Sequence, residues 1–279
     1  MEMDLCNDYP SMFDNITKRM LSYIVDNKIK SLVLGISGGV DSALLAALAR
    51  FVCDKLEGKV SLLGRCLPIS SNIDEMYRAE LVGRAFCHNF KTFDMDMTFN
   101  DFVSQTIYCE HLGNLSFDEK VRLGNIKARL RMIKLYDEAH RNSGMVLSTD
   151  NFSEYHMGFW TLHGDVGDYA PLQEVWKTEV YGLARLVQTF YANNDESSKS
   201  HAMKICADAI PTDGLGITES DFDQLGVSSW QEVDRILIDS YLNFFDDNDP
   251  IIKRYRASDF KRNNPTVIER SKIIDNSNF

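Results

Sequence analysis

The 279 residues carry a formal charge of −11, with 44% apolar and 25% charged side chains. That balance is ordinary for a globular chain, excludes a disordered or fibrous one, and disfavours binding to nucleic acid, which calls for a basic face. The longest apolar runs, such as Leu44 to Ala49, fall far short of the roughly 20 residues a membrane span needs, and no membrane association is expected.

A helix is expected within about residues 1–30, where Met1-Glu-Met-Asp has the wrong charge for a secretory or transit peptide. Ser31-Leu-Val-Leu-Gly-Ile36 reads as a buried strand and Asp41 to Asp54 as an Ala/Leu-rich helix. Val60 to Leu67 is a second strand, ended by Pro68. Ile73 to Phe86 is helical, Phe90 to Asp94 a third strand and Thr98 to Tyr108 another helix. A long helix is expected over Asp118 to Arg141, with Val121, Ile126, Leu130, Ile133 and Leu135 at roughly helical spacing, before a fourth strand at Met145 to Ser148. Alternating strands and helices specify an α/β fold, a doubly wound and mostly parallel sheet covered on both faces. From about residue 172 to 279 the chain is expected to be helical (Val175 to Tyr191, Ser229 to Phe245, Pro250 to Ser258), with polar loops at Ala192 to Ser200 and Pro211 to Gly226. One domain covering 1–279 is the economical reading.

The sharpest signal lies where the first strand turns into the first helix of the sheet: Gly35-Ile36-Ser37-Gly38-Gly39-Val40-Asp41-Ser42. Adjacent glycines permit backbone conformations and close approaches that side chains obstruct, and N–H groups at a helix start form an anion cradle. Ser37 and Ser42 add hydroxyl donors. No Lys follows the glycines, so the element is not the G-x-x-x-x-G-K-[ST] loop, nor is it G-x-G-x-x-G. An aspartate among phosphate donors would repel a phosphate unless a divalent cation bridged them, which makes Asp41 a candidate Mg²⁺ ligand. After the fourth strand comes Ser148-Thr149-Asp150-Asn151-Phe-Ser-Glu154, at the carboxyl edge where a parallel sheet places its active site. Glu154 falls about one helical turn beyond Asp150, and a further carboxylate there completes a reasonable cation site. Asn125 and Arg129, four apart, share a helix face and can reach one ligand.

The S-G-G-V-D-S element resembles the pyrophosphate loop of ATP pyrophosphatases. With N-I-K-A-R, S-T-D-N-F-S-E, G-F-W-T-L-H-G-D, W-K-T, P-T-D-G-L-G and D-F-K-R, spanning Gly35 to Arg262, the chain resembles the ammonia-dependent NAD synthetase family. The resemblance implies an adenine nucleotide α-hydrolase-like fold and ATP as co-substrate. Gly35, Ile36, Ser37, Gly38, Gly39, Val40, Asp41, Ser42, Thr149, Lys177 and Thr212 would contact ATP. Asp41 and Glu154 would hold Mg²⁺, with Asp41 and Lys177 catalytic. Asn125, Arg129, Asp168 and Lys261 would face deamido-NAD, the choice of Asp168 over Asp165 depending on where a one-residue gap falls. The implied reaction is attack of the nicotinate carboxylate on the α-phosphate, then displacement of AMP by ammonia. The chain departs from the family pattern at Leu162, where a Lys is usual, and at Phe260, where a His is usual, both on the dinucleotide side. About 30 residues precede the first strand, so no glutaminase domain is expected there. A homodimer with substrate at the subunit interface is implied as well. Two other readings stay open: an adenylating ligase acting on a different small carboxylate, and a non-catalytic ATP-binding module. The six scattered cysteines, without C-x-x-C, are expected as free thiols of a reducing compartment, the cytoplasm.

Overall fold

In the computed structural model, which describes residues 4–106, 115–212, 214–218, 220–242 and 246–274, a four-stranded parallel sheet of order β3-β2-β1-β4 forms the centre. The elements run α1 (Tyr9–Asp26), β1 (Ser31–Gly35), α2 (Val40–Lys55), β2 (Ser61–Cys66), α3 (Ile73–Phe86), β3 (Asn89–Thr92), α4 (Asp96–Thr106), α5 (Phe117–Arg141), β4 (Gly144–Val146) and α6 (Phe152–Met157). Then come α7 (Lys177–Asn193), α8 (Ser197–Ala207), α9 (Asp221–Leu225), α10 (Trp230–Tyr241), α11 (Pro250–Ala257), α12 (Asp259–Arg262) and α13 (Arg270–Ile274).

The sheet separates its apolar residues by parity, as a pleat with period two requires. Leu32, Leu34 and Leu62 join a core with α2, α7 and α8, whereas Val33, Leu63 and Val146 pack with Met132, Leu135 and Ala139 of α5 on the opposite face. Both faces are therefore covered, as expected of a parallel sheet. Register aligns Val33 with Leu63 on one side and with Val146 on the other, so β4 stops two residues short of the end of β1 and β2 runs one residue past it. Helix α2 is buried nearly all round, from Val40 to Cys53, because Ala and Leu fill every face of it. Helix α5 starts at a reciprocal cap between Ser116 and Glu119 and ends with His140 and Arg141, charges that suit both ends of its dipole.

Several expected elements differ in detail. Strand β3, expected over Phe90 to Asp94, runs from Asn89 and ends at Thr92 because the chain turns into α4; it is a largely exposed edge. Strand β4 ends at Val146, since Leu147 pairs with Tyr169 from a later loop. The expected loop Ala192 to Ser200 is partly helical: α7 reaches Asn193 and α8 begins at Ser197. Helix α8 buries just Ala202, Met203 and Cys206, too thin an apolar stripe to read beneath its polar start. Within the expected loop Pro211 to Gly226, a cap between Ser220 and Asp223 starts α9 and a left-handed Gly226 stops it. Residues 107–108 and 243–245, the ends of two expected helices, and Cys109 lie outside the described residues. The five described cysteines are all free thiols, and among the described residues no helix is long and apolar enough to cross a membrane.

The C-terminal helices do not extend the sheet. They form a second core, in which Trp230, Val233, Leu237 and Ile251 close around Met157 of α6 and Trp176 ahead of α7. This packing fixes the two short segments that carry the candidate site.

Candidate active site

A cleft of about 540 Å³ opens at the carboxyl ends of the strands, and the glycine turn forms its floor. The turn needs its glycine at 38: φ is +86°, and a Cβ there would sit 2.4 Å from the Glu75 carbonyl oxygen of α3. Arg78 Nε donates to the Gly38 carbonyl at 3.0 Å and holds the loop from the same helix. Gly39 is the N-cap of α2 and offers no side chain to its first N–H groups, so the start of this 16-residue helix is open to an anion. Ser37 Oγ and Ser42 Oγ lie 3.2 Å apart, with Gly39 N–H donating to Ser37 Oγ at 3.2 Å.

The centre of the site is an ammonium between two carboxylates. Lys177, the first residue of α7, donates through Nζ to Asp41 Oδ2 at 2.5 Å and to Glu154 Oε1 at 2.7 Å. Its side chain is 3% exposed, against 14% and 18% for the two acids, and its ammonium lies 5.4 Å from the Trp230 ring centroid. Burial alone would lower the Lys177 pKa, but the charges of Asp41 and Glu154 carry it well above the ordinary lysine value. Burial pushes the Glu154 carboxyl up to about 8, against the pull of Lys177. Asp150 and Asp165 face the same cleft, each pushed up to about 7, chiefly by burial. Among the described residues no three acids stand close enough together to form a metal cluster, but the hard oxygens of a carboxylate pair suit a divalent cation such as Mg²⁺ that keeps waters and substrate phosphate as its other ligands. The pair present, Asp41 and Glu154, already converges on a single positive charge.

Most of the residues expected from the sequence meet here. Gly35, Ile36, Ser37, Gly39, Val40, Asp41, Ser42, Thr149, Glu154, Lys177 and Thr212 all line the cleft, whereas Gly38 backs onto α3 behind it. Thr212 Oγ1 donates to Glu75 Oε1 at 2.7 Å across the mouth. Asn125 also lines the cleft and accepts from Thr161 Oγ1 at 2.6 Å. Lys261 lines it too, but its ammonium is committed to the carbonyls of Gly158 and Trp160 at 2.6 and 2.5 Å.

Two of the expected residues lie outside the cleft lining. Asp168 lies outside the cleft lining, because its carboxylate accepts from Val146 N–H at 2.9 Å and from Tyr136 O–H at 3.0 Å and so ties the post-β4 loop to the sheet. Asp165 takes the place in the cleft, held by the Thr161 N–H at 2.9 and 3.0 Å from its two oxygens. Arg129 likewise falls outside the lining, donating to the Leu162 carbonyl at 3.1 Å.

The sequence reading passed over Asn151, which is fully buried and donates to Asp41 Oδ1 at 2.9 Å. A local signal existed, since Asn followed three residues later by Glu is a capping pattern. Arg78, Arg131 and Arg254 also line the cleft, and nothing in their spacing marks them.

The family model described as NAD synthase matches residues 12–268. The NH(3)-dependent NAD(+) synthetase of Pyrococcus furiosus is 33% identical over 217 residues, 77% of this chain and 74% of that one. The protein of the same name from Malacoplasma penetrans is 30% identical over 96% of this chain and 98% of its own. Among solved structures, an NMN synthetase from Francisella tularensis superposes with a TM-score of 0.71 at 24% identity, covering 94% of this chain and 95% of that one. That last likeness shows the fold.

Proposed function

The chain belongs to the NAD synthase family, ligases that make NAD with ammonia, and from that premise we propose that it amidates deamido-NAD through an adenylate, using ATP and Mg²⁺. The observation that carries the reading is Lys177 Nζ held between Asp41 and Glu154 beside the open start of α2.

Ammonia cannot expel oxide from a carboxylate, so the acid must first acquire a good leaving group. The N–H groups at the start of α2, with Ser37 and Ser42, cradle the ATP phosphates and leave the α-phosphorus open to the nicotinate carboxylate. Asp41 and Glu154 would hold the Mg²⁺, which when bound neutralises charge on the departing pyrophosphate. Lys177 sets its ammonium beside the same phosphates, a fixed and buried positive charge. Thr149 and Thr212 add hydroxyl donors around the nucleotide. Asn125 and Lys261 border the space for the second substrate. Asp165, which lines the cleft with its carboxyl pushed up to about 7 by burial, would take the proton that ammonium must lose before nitrogen attacks the acyl carbon. AMP then leaves and the amide remains. The working form we propose is a cytoplasmic homodimer that shares the substrate across its interface.

A second reading rests on the same face of the site. Leu162 brings no cation, Arg129 donates to the Leu162 carbonyl and Asp168 accepts from the Val146 N–H, so a mononucleotide acid could replace the dinucleotide. The test is an assay of the purified protein with ATP, Mg²⁺ and ammonium, offering deamido-NAD or nicotinate mononucleotide and following AMP, pyrophosphate and the amide. NAD and AMP in equal amounts support the first reading. Turnover confined to the mononucleotide supports the second, and AMP release with neither acid overturns both.

A further inference from the structure

Asn151 joins the two acids of the site: one end of its side chain bonds to the Asp41 carboxylate and the other to the backbone of Glu154. Its Nδ2 donates to Asp41 Oδ1 at 2.9 Å, and its Oδ1 accepts from the Glu154 N–H at 3.0 Å. Its own N–H leans toward Glu154 Oε2 at 3.4 Å. The remaining oxygens, Asp41 Oδ2 and Glu154 Oε1, are the two turned toward Lys177 Nζ. The orientation of the amide follows from chemistry: the Glu154 N–H can only donate and the Asp41 carboxylate can only accept.

We propose that Asn151 is a positioning residue that sets the rotation of the Asp41 carboxylate and seats the start of α6, which carries Glu154, against α2, so that one oxygen of each acid faces a shared cation. The inference rests on the reading that these two acids hold the divalent metal. Asp41 rides on the first turn of α2 and Glu154 on α6, two helices reached from different strands of the sheet. A fully buried side chain hydrogen-bonded to both registers one helix against the other.

Helix capping does not account for the choice of asparagine. At an N-cap, Asn, Asp and Ser serve about equally well, since all need only accept from the N–H three residues on. The Asp41 contact demands a donor at the same time. An ionised aspartate is acceptor-only and would set another carboxylate against Asp41, and a serine hydroxyl occupied as the cap is too short to reach. Carboxylates that bind metals are commonly oriented by such hydrogen bonds, whose loss weakens affinity about 10–100-fold.

The experiment compares wild type, Asn151→Ser and Asn151→Ala in the full chain. Mn²⁺ serves as the probe, its free concentration read by electron paramagnetic resonance, and melting curves are taken without metal. Asn151→Ser, which keeps the cap and loses the donor, should melt close to wild type and bind Mn²⁺ at least about tenfold more weakly. In turnover its apparent KM for Mg²⁺ should rise while kcat at saturating Mg²⁺ stays near wild type. Asn151→Ala should show the same loss of metal and a lower melting temperature as well. Wild-type Mn²⁺ affinity in Asn151→Ser overturns the inference. So does a serine variant that melts as low as alanine, since a loosened fold around the site would then explain the weaker metal binding. A wild-type protein that binds Mn²⁺ but fails to amidate either acid defeats the functional reading and leaves this one standing. Wild type that binds no Mn²⁺ defeats the positioning role.

Discussion

Replacing Lys177 by Met keeps the length and packing of the side chain and deletes the charge between Asp41 and Glu154. The ammonium is 3% exposed and makes contacts of 2.5 and 2.7 Å to the two acids. Removing one partner of a buried ion pair strands the other and costs about 3–5 kcal/mol. For 279 residues the unfolding entropy at the melting point is about 0.6 kcal/mol per kelvin, so the melting temperature should fall by about 5–9 °C. The pH dependence gives a second check. A carboxyl whose pKa is raised by folding favours the folded state while protonated, a contribution fully present below 4.5 and lost as pH rises through about 8 for Glu154. In Lys177→Met the ammonium no longer opposes that rise, so the Glu154 pKa climbs further, and protonation relieves the repulsion at low pH. Scanning calorimetry without Mg²⁺ should therefore show the full deficit near pH 8.5 and a narrower one near pH 5. A difference under about 1 °C at pH 8.5, or a gap that widens on acidification, refutes the argument that this lysine holds the two acids together.

Other perturbations reach the remaining parts of the site. Gly38→Ala forces a left-handed residue costing about 1–2 kcal/mol and drives a methyl into the Glu75 carbonyl, so ATP affinity should drop with the loop displaced; unchanged affinity in a titration of ATP would remove the turn from the cradle. Asp168→Ala strands the Val146 N–H and the Tyr136 hydroxyl, so it should lose about 1–3 kcal/mol in denaturant melts and keep kcat. Asp165→Asn should do the reverse, lowering kcat by about 10²–10⁴ if it accepts the ammonium proton; equal kinetic losses in both would sink the distinction. His156 is buried and neutral, its Nδ1–H donating to the Phe152 carbonyl at 2.7 Å and its Nε2 accepting from Tyr241, with burial pulling its pKa down to about 4. A depressed histidine adds stability above 6.5 that is lost as pH falls toward 4, so His156→Gln should flatten the acid limb of the melting temperature profile.

Much of the fold was legible because it is written in local signals. Ser31 to Ile36 is apolar on both parities, as a strand covered on both faces must be, and Ile73 to Phe86 matches α3 at both ends. The third strand misled because an edge strand of four residues is held by one neighbour and leaves its side chains in water. Helix α8 escaped because three small or flexible apolar residues suffice when α7 and α3 already stand beside it.

The sequence by itself determined the glycine turn, the acid in the first turn of α2 and the order of the motifs along the chain. Each depends on residues a few positions apart, where backbone geometry settles what can meet. The tertiary structure alone decided that Lys177 lies between Asp41 and Glu154, that Asn151 bonds to both, and that Asp165 faces the cleft while Asp168 anchors a loop. The contacts to Asp41 join segments more than a hundred residues apart, the one between Lys177 and Glu154 bridges separate helices, and the choice between Asp165 and Asp168 turns on a gap of one residue. What sets them is how helices seat on a sheet and which buried donors and acceptors must find partners, a competition among all the packed segments at once.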